Sequence, residues 1–225
     1  MTTNKNEILK SELFQITTGL LLGDGNLQKP ETCKYYRFRF AQNELRKDYV
    51  NHLFNKYRYG LENINIGELK PLIKQDKPRV YKYSTKVNTL LKKSYCFETR
   101  ISSAFNEHAK IFYSGQSSKK KLCKDLTCLY NLITPISLAY WYMDDGTWPN
   151  KKSQSFVLCT HAYRIEEVEY LSEILNNKFN LKTNLGINRN QPILRISAKS
   201  YNIFHELIFH TIKNIPSMKS KFPFN

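Results

Sequence analysis

Two apolar runs, each closed by a carboxylate and a glycine, stand half a chain apart in these 225 residues. Thr18-Gly19-Leu20-Leu21-Leu22-Gly23-Asp24-Gly25 is one, and Leu138-Ala139-Tyr140-Trp141-Tyr142-Met143-Asp144-Asp145-Gly146 is the other. Asp24 and Asp145 are separated by 121 positions, and so are Tyr49 of Tyr49-Val50-Asn51-His52-Leu53-Phe54 and Tyr170 of Tyr170-Leu171-Ser172-Glu173-Ile174-Leu175. A repeat of this length is not a solenoid, whose periods run to about 20–50 residues. It predicts two similar halves, with one acidic residue from each able to meet at a shared axis.

The periodicity within each half reads helix, strands, helix, strands, helix, an α+β arrangement. In the first half, Glu7 to Asp24 reads as a buried helix with Ser11 as a possible N-cap and Gly25 as the C′ glycine that ends it. Tyr35 to Gln42 reads as a strand in which Phe38 and Phe40 alternate with Arg37, Arg39 and Gln42. Lys47 to Tyr57 reads as a helix, Ile64 to Leu72 and Arg79 to Thr85 as strands, and Ile101 to Tyr113 as a helix. Ser114-Gly115-Gln116-Ser117-Ser118 followed by Lys119 to Lys121 is the linker signal. Thr134-Pro135 caps and starts the second signature helix, which runs to Asp145. Strands at Ser155 to His161, Lys182 to Asn188 and Ile193 to Ala198 then alternate with helices at Glu166 to Phe179 and Ser200 to Lys213. The expected division is 1–113, a linker at 114–133, and 134–225.

Lys and Arg number 35 against 19 Asp and Glu, a formal charge of +16. Such a chain attracts polyanions, and nucleic acid is the expected partner. The basic residues are spread along the chain and are not gathered beside an apolar anchor, so a membrane is not expected. Five cysteines without close pairs point to reduced thiols in an intracellular setting and away from a zinc site. No secretory or transit segment and no membrane span are read in the sequence. The abundance of Asn, Lys, Ile and Tyr is compatible with an A·T-rich gene; the expected setting is intracellular, with the mitochondrion or another organelle left open.

An acidic side chain in the last turn of a helix faces the negative end of the dipole, at a cost of roughly 0.3–1 kcal/mol. Its presence in both copies suggests a divalent cation, which carboxylates and helix-end carbonyls bind as hard oxygen ligands. Ordinary core helices with solvent-facing acidic caps are the alternative, and the residues alone leave both open. Gly19 and Gly23 form a small-residue face inside the first helix, suited to close contact with the second copy. Tyr140 and Asp144 occupy the matching positions there, so the contact is expected to be asymmetric.

Leu138 to Gly146 resembles the signature of the LAGLIDADG homing endonucleases, and Thr17 to Gly25 resembles a second copy, as in the single-chain members. The resemblance implies two αββαββα halves about a pseudo-twofold axis, with curved antiparallel sheets forming a DNA-binding saddle. It implies a monomer that uses Mg²⁺, with Mn²⁺ able to substitute, to hydrolyse both strands of a double-stranded DNA target across the minor groove, leaving short 3′ overhangs. By motif position Asp24 and Asp145 are the catalytic, metal-binding carboxylates, with the carbonyls of Gly23 and Asp144 assisting; the Asp144 side chain has no role assigned. A lysine is implied beside each metal site. Ile215-Pro216-Ser217-Met218-Lys219-Ser220-Lys221-Phe222-Pro223 points to Lys221, and the first half to Lys121, with Lys120 behind it.

The basic strand faces supply what base readout needs. Arg37 and Arg39 can pair with guanine, and Gln42 or Asn184 with adenine. Lys82, Lys86, Lys152, Lys182, Arg189, Arg195 and Lys199 are candidates for bases or phosphates, and the sequence does not sort them. An intron RNA maturase or a non-cleaving DNA-binding protein on the same scaffold is the rival reading. Loss of one signature acid would favour it, and both are present.

Overall fold

Ser11 begins the first described helix by accepting a hydrogen bond from the Phe14 amide at 3.2 Å, one of the donors a helix start leaves unpaired. In this computed structural model, residues 11–59, 72–85, 88–113, 120, 122, 127–149 and 152–224 are described. The first half contains α1 (Glu12–Leu22), β1 (Asn26–Gln28), β2 (Arg37–Asn43), α2 (Lys47–Tyr59), β3 (Arg79–Thr85), β4 (Asn88–Glu98) and α3 (Asn106–Phe112). The second contains α4 (Thr127–Leu132), α5 (Pro135–Asp145), β5 (Gly146–Thr147), β6 (Phe156–Leu158), α6 (Ile165–Phe179), β7 (Thr183–Asn188), β8 (Gln191–Ile196) and α7 (Tyr201–Ile212).

The strands form two antiparallel four-stranded sheets of identical connectivity, β1-β2-β4-β3 and β5-β6-β8-β7. The repeat in the sequence is therefore a repeat in topology. Each sheet buries one face on helices. In the first, Phe40 meets Tyr49 of α2 edge-on at 5.5 Å and Phe38 stacks on Tyr57 at 4.8 Å. In the second, Phe156 packs among Phe204, Phe222 and Tyr142, with centroids 4.9 to 5.8 Å apart. All of these rings are fully buried, and truncating such a ring to Ala costs about 3–5 kcal/mol.

The signature helices α1 and α5 are the most closely packed helix pair. A Cβ added to Gly19 would lie 2.2 Å from the Ser137 carbonyl oxygen, and one added to Gly23 would lie 2.5 Å from Asp144 Cβ. Glycine is required at both places by the approach of α5. The expected asymmetry holds: glycines on α1 receive Tyr140 and Asp144 of α5. On α5, Thr134 and Ser137 form a reciprocal capping box, with Pro135 in the first turn.

Several expected elements differ. The helix expected over Glu7 to Asp24 is described only from Glu12, because residues 1–10 lie outside the described residues, and it ends at Leu22. Gly25 does not adopt a left-handed C′ conformation. Its amide reaches back to the Leu20 carbonyl at 2.8 Å, and its missing side chain leaves room for the Phe38 ring. The strand expected at Ile64 to Leu72 lies outside the described residues except for Leu72, which is buried and not in a strand. β4 was not anticipated: Leu90-Leu91-Lys92-Lys93 breaks the period of two, yet the strand lies at the centre of its sheet, between β2 and β3. β1 and β5 are too short to leave a periodic trace. Within the expected linker, Thr127–Leu132 is helical and buries Leu129.

Candidate active site and nucleic-acid faces

α1 and α5 end side by side, so the two acids emerge on one edge of the helix interface. Asp24 is exposed, and the Gln42 side-chain amide donates to its Oδ2. Asp145 is half-buried. Burial first, and the charge of Asp24 second, push its carboxyl up to about 7, against the opposing pull of Lys120 and Lys221. Cys159 sits beside it, its thiol raised by burial and by the Asp145 charge.

The lysines give the site its shape. Lys221 Nζ donates to the Met143 carbonyl at 2.8 Å and to the Asp144 carbonyl. Lys120 Nζ donates to the Gly23 carbonyl. Gly23 and Asp144 are equivalent positions of the repeat, so each signature helix ends on a carbonyl that holds an ammonium, immediately before its acid. Burial draws the proton affinity of both lysines down, Lys221 to about 8. Lys121 lies outside the described residues; its neighbour Lys120 makes the contact.

Asp144 is 6 % exposed. Its Oδ2 accepts from the Asp24 backbone N–H at 3.0 Å, and its Oδ1 from the Tyr49 hydroxyl at 3.0 Å. Burial, then the charges of Asp24 and Asp145, push this carboxyl well above the usual carboxylate range. Nearby, the Tyr163 hydroxyl donates to the Leu22 carbonyl at 2.7 Å and Arg46 Nη1 to the Met143 carbonyl at 3.0 Å. No sequence pattern pointed to Arg46 or Tyr163, and the repeat that includes Tyr49 gave it no place at the site. A cavity of about 250 Å³ opens beside the acids, lined by Asp24, Lys120, Asp145, Cys159, His161 and Tyr163 among others.

These groups could hold a divalent cation. The donors are hard oxygens, and the carbonyls of Gly23 and Asp144 already receive cationic groups. Among the described residues no three His, Cys, Asp or Glu side chains gather around one point. A protein cage is therefore not built here, whereas one or two carboxylates completed by water and phosphate oxygens suit Mg²⁺.

The outward faces of the sheets hold only some of the basic candidates. Cross-strand partners share a face, which places Asn26, Gln28, Arg37, Arg39 and Glu98 together on the first sheet, with Arg79 farther along. Glu98 pairs with Arg37 at 3.1 Å and lies 3.7 Å from Arg39 Nε. Gln42 has the opposite parity, on the side of Phe38 and Phe40, which is how it reaches Asp24. Lys82 also has opposite parity to the arginines: it is paired with Lys93 on the far face of the hairpin. On the second sheet Asn184 and Arg195 are cross-strand partners on the outward face, and both are exposed. Lys182 precedes β7, Lys199 follows β8, and Arg189 stands at the hairpin tip with φ 48°; all are exposed. Lys152 is exposed in the turn before β6, and Lys86 lies outside the described residues. No described helix is long and apolar enough to cross a membrane.

Comparison with known proteins agrees with this geometry. The chain is 34% identical over 212 residues to the probable intron-encoded endonuclease 1 of Wickerhamomyces canadensis, covering 92% of this chain and 82% of that protein. It is 30% identical to the cytochrome b mRNA maturase bI2 of Saccharomyces cerevisiae over 97% of this chain, spanning half of that longer protein. Its fold superposes on the homing endonuclease I-WcaI, solved bound to its DNA recognition sequence, with a TM-score of 0.77 and 30% identity, covering 96% of this chain and 88% of that one. Residues 14–204 match the LAGLIDADG DNA endonuclease family, to which this chain belongs.

Proposed function

We propose that the protein is a monomeric, site-specific homing endonuclease that hydrolyses both strands of a DNA target across the minor groove and leaves short 3′ overhangs. The observation that carries this is the doubled ending of the signature helices: an acid in each copy, preceded by a carbonyl that holds a lysine ammonium. Divalent ions, Mg²⁺ or Mn²⁺ in its place, held by Asp24 with the Gly23 carbonyl and by Asp145 with the Asp144 carbonyl, together with the DNA phosphates, would activate water and offset charge on the departing oxygens. Asp24 and Asp145 fix the position of the attacked phosphates from opposite halves. Lys120 and Lys221 stand where negative charge develops on the phosphate oxygens, and a pre-placed ammonium is worth most there. Gln42 orients the Asp24 carboxylate.

The sheets hold the duplex. Arg37 and Arg39 exchange Glu98 for guanine edges, and Asn184 with Arg195 reads the other half-site. Lys152, Lys182, Arg189 and Lys199 contact phosphates, where each neutralised charge adds to the salt dependence. A second reading, RNA maturation, rests on the relative named a cytochrome b mRNA maturase.

The test is incubation of the pure protein with a randomised duplex library and Mg²⁺, followed by sequencing of the cut ends. Recurrent ends that define one asymmetric site, cut on both strands, are expected. Ends without a shared sequence overturn site specificity. No cutting in Mg²⁺ or Mn²⁺, with tight binding of intron RNA, favours the maturase reading.

A further inference from the structure

The segment Leu22–Asp24 is tied to the second half at two points, neither of which the repeat demands. The Leu22 carbonyl accepts from the Tyr163 hydroxyl at 2.7 Å, and the Asp24 N–H donates to Asp144 Oδ2 at 3.0 Å. The last carbonyls of a helix lack intrahelical partners, and the Asp24 amide lies one residue past Gly23, whose N–H still donates to the Gly19 carbonyl. Here both are claimed by side chains from across the interface. The Asp144 carboxyl is itself fixed by the Tyr49 hydroxyl on its other oxygen, and the Gly23 backbone lies against it so closely that a Cβ would meet Asp144 Oδ2 at 2.6 Å. Asp144 has Gly23 as its counterpart in the repeat, so no such carboxylate reaches from α1 back to the Asp145 amide. The arrangement is one-sided: the second half sets the geometry of the first half's acid.

We infer that Asp144 and Tyr163 are positioning residues that set Asp24, and that Asp144 serves through hydrogen bonding and not as a carboxylate ligand. This rests on the nuclease reading above. A positioning Asp144 can be replaced by Asn, whose Oδ1 accepts from the Asp24 N–H while its Nδ2 donates to the Tyr49 hydroxyl oxygen, whereas a carboxylate ligand or a proton-transfer group cannot. Because Asp24 belongs to one of two sites, loosening it affects one strand more than the other. General destabilisation would slow both strands alike.

The experiment uses a target recovered from the library, labelled on each strand separately, in single-turnover cleavage at saturating protein. Asp144→Asn, which keeps an acceptor for the Asp24 N–H, is expected to preserve the ratio of the two strand rates. Asp144→Leu and Tyr163→Phe are each expected to slow one strand, the same strand for both, by roughly three- to tenfold or more relative to the other, as loss of a structural hydrogen bond implies. In parallel, the Mn²⁺ concentration that half-saturates the rise in thermal midpoint of the protein–DNA complex should shift upward for Asp144→Leu and Tyr163→Phe and stay unchanged for Asp144→Asn. Abolished cleavage in Asp144→Asn, with normal folding, overturns the inference and makes the carboxylate a direct participant. Tyr163→Phe with an unchanged strand ratio and an unchanged Mn²⁺ midpoint overturns it too, and Tyr163→Phe folds on the same apolar ring, so that outcome is readable even if Asp144→Leu unfolds. If wild-type protein cuts no DNA, the nuclease reading fails, and the same Mn²⁺ titration run on the free protein decides the tether.

Discussion

The ends of α1 and α5 share one backbone frame and differ in almost every side chain around it. Each places an acid after a carbonyl that holds an ammonium. Asp24, however, is exposed and bonded by the Gln42 amide, while Asp145 is half-buried with its carboxyl pushed up to about 7. The comparison separates two contributions. The packing of the two helices, fixed by Gly19 and Gly23, decides where the acids stand. The residues carried on β2, in the segment after β6 and in the turn that presents Lys221 decide how charged each acid is and how firmly it is held. Duplicated function needs the first to be kept, and it leaves the second free to diverge.

The severest way to break the comparison is to remove each acid in turn. Asp24→Asn and Asp145→Asn should each abolish double-strand cleavage, by roughly 10²–10³-fold or more, with DNA affinity little changed. A variant that still linearises a target plasmid at the normal rate would remove that acid from the site. Next come the ammonium groups. Lys120→Ala and Lys221→Ala should lower single-turnover cleavage by about 10²-fold at saturating protein while barely altering the dissociation constant, since the interaction is made in the transition state. Lys121→Ala should be near wild type on the same assay. A strong defect there, with Lys120→Ala normal, reverses the assignment.

The difference in charge state predicts a pH dependence. Divalent ions bind the ionised carboxylate, and the Asp145 carboxyl in the free protein titrates near 7. Below that pH a proton must leave as the ion binds, so half-saturating Mg²⁺ should fall by up to about tenfold per pH unit as pH rises towards 7, then level off. The same raised value gives a sign for stability. Between the ordinary carboxylate value and about 7 the folded state holds more protons than the unfolded one, so the metal-free protein should lose stability as pH rises through that window. Asp145→Asn should remove the Mg²⁺ trend and weaken the stability trend, because the buried Asp144 carboxyl is also raised and contributes with the same sign. A Mg²⁺ trend that persists in that variant points to another titrating group.

The architecture was legible because the repeat and the period-two and helical patterns agree with one another. Thr134-Pro135 marked the start of α5, and Phe38 and Phe40 marked the buried face of β2. Asp24 and Asp145 were legible for the same reason: an acid before glycine after an apolar run is a local pattern. The rest of the site is non-local. Tyr163, Arg46 and Tyr49 reach the helix ends through tertiary packing, and nothing in their neighbourhoods distinguishes them from surface or core residues. Lys120 against Lys121 turns on the path of a chain segment, which composition does not record. β4 was hidden because apolar and polar residues do not alternate along its sequence, Leu90-Leu91 and Lys92-Lys93 standing in pairs.

Gln42 offers the mildest and most specific perturbation. Strand alternation places it with Phe38 and Phe40 and opposite Arg37 and Arg39, so it lies on the side of the two acids and not on the outward basic face. Its amide donates to Asp24 Oδ2. Because Asp24 is exposed, water replaces much of what the amide supplies, and the loss should be at the low end for a hydrogen bond, about 0.5–1.5 kcal/mol, or roughly two- to tenfold in rate. Gln42→Ala should therefore slow one strand by that factor and leave the other, served by Asp145, unchanged. It should also leave the sequence of the recovered target unchanged, whereas Arg39→Ala should relax one base position by about 1–3 kcal/mol with both strand rates preserved at saturation. If Gln42→Ala relaxes a base position and spares the strand ratio, the amide leaves Asp24 when DNA binds, and the exposed acid is held by the Asp144 and Tyr163 tethers alone.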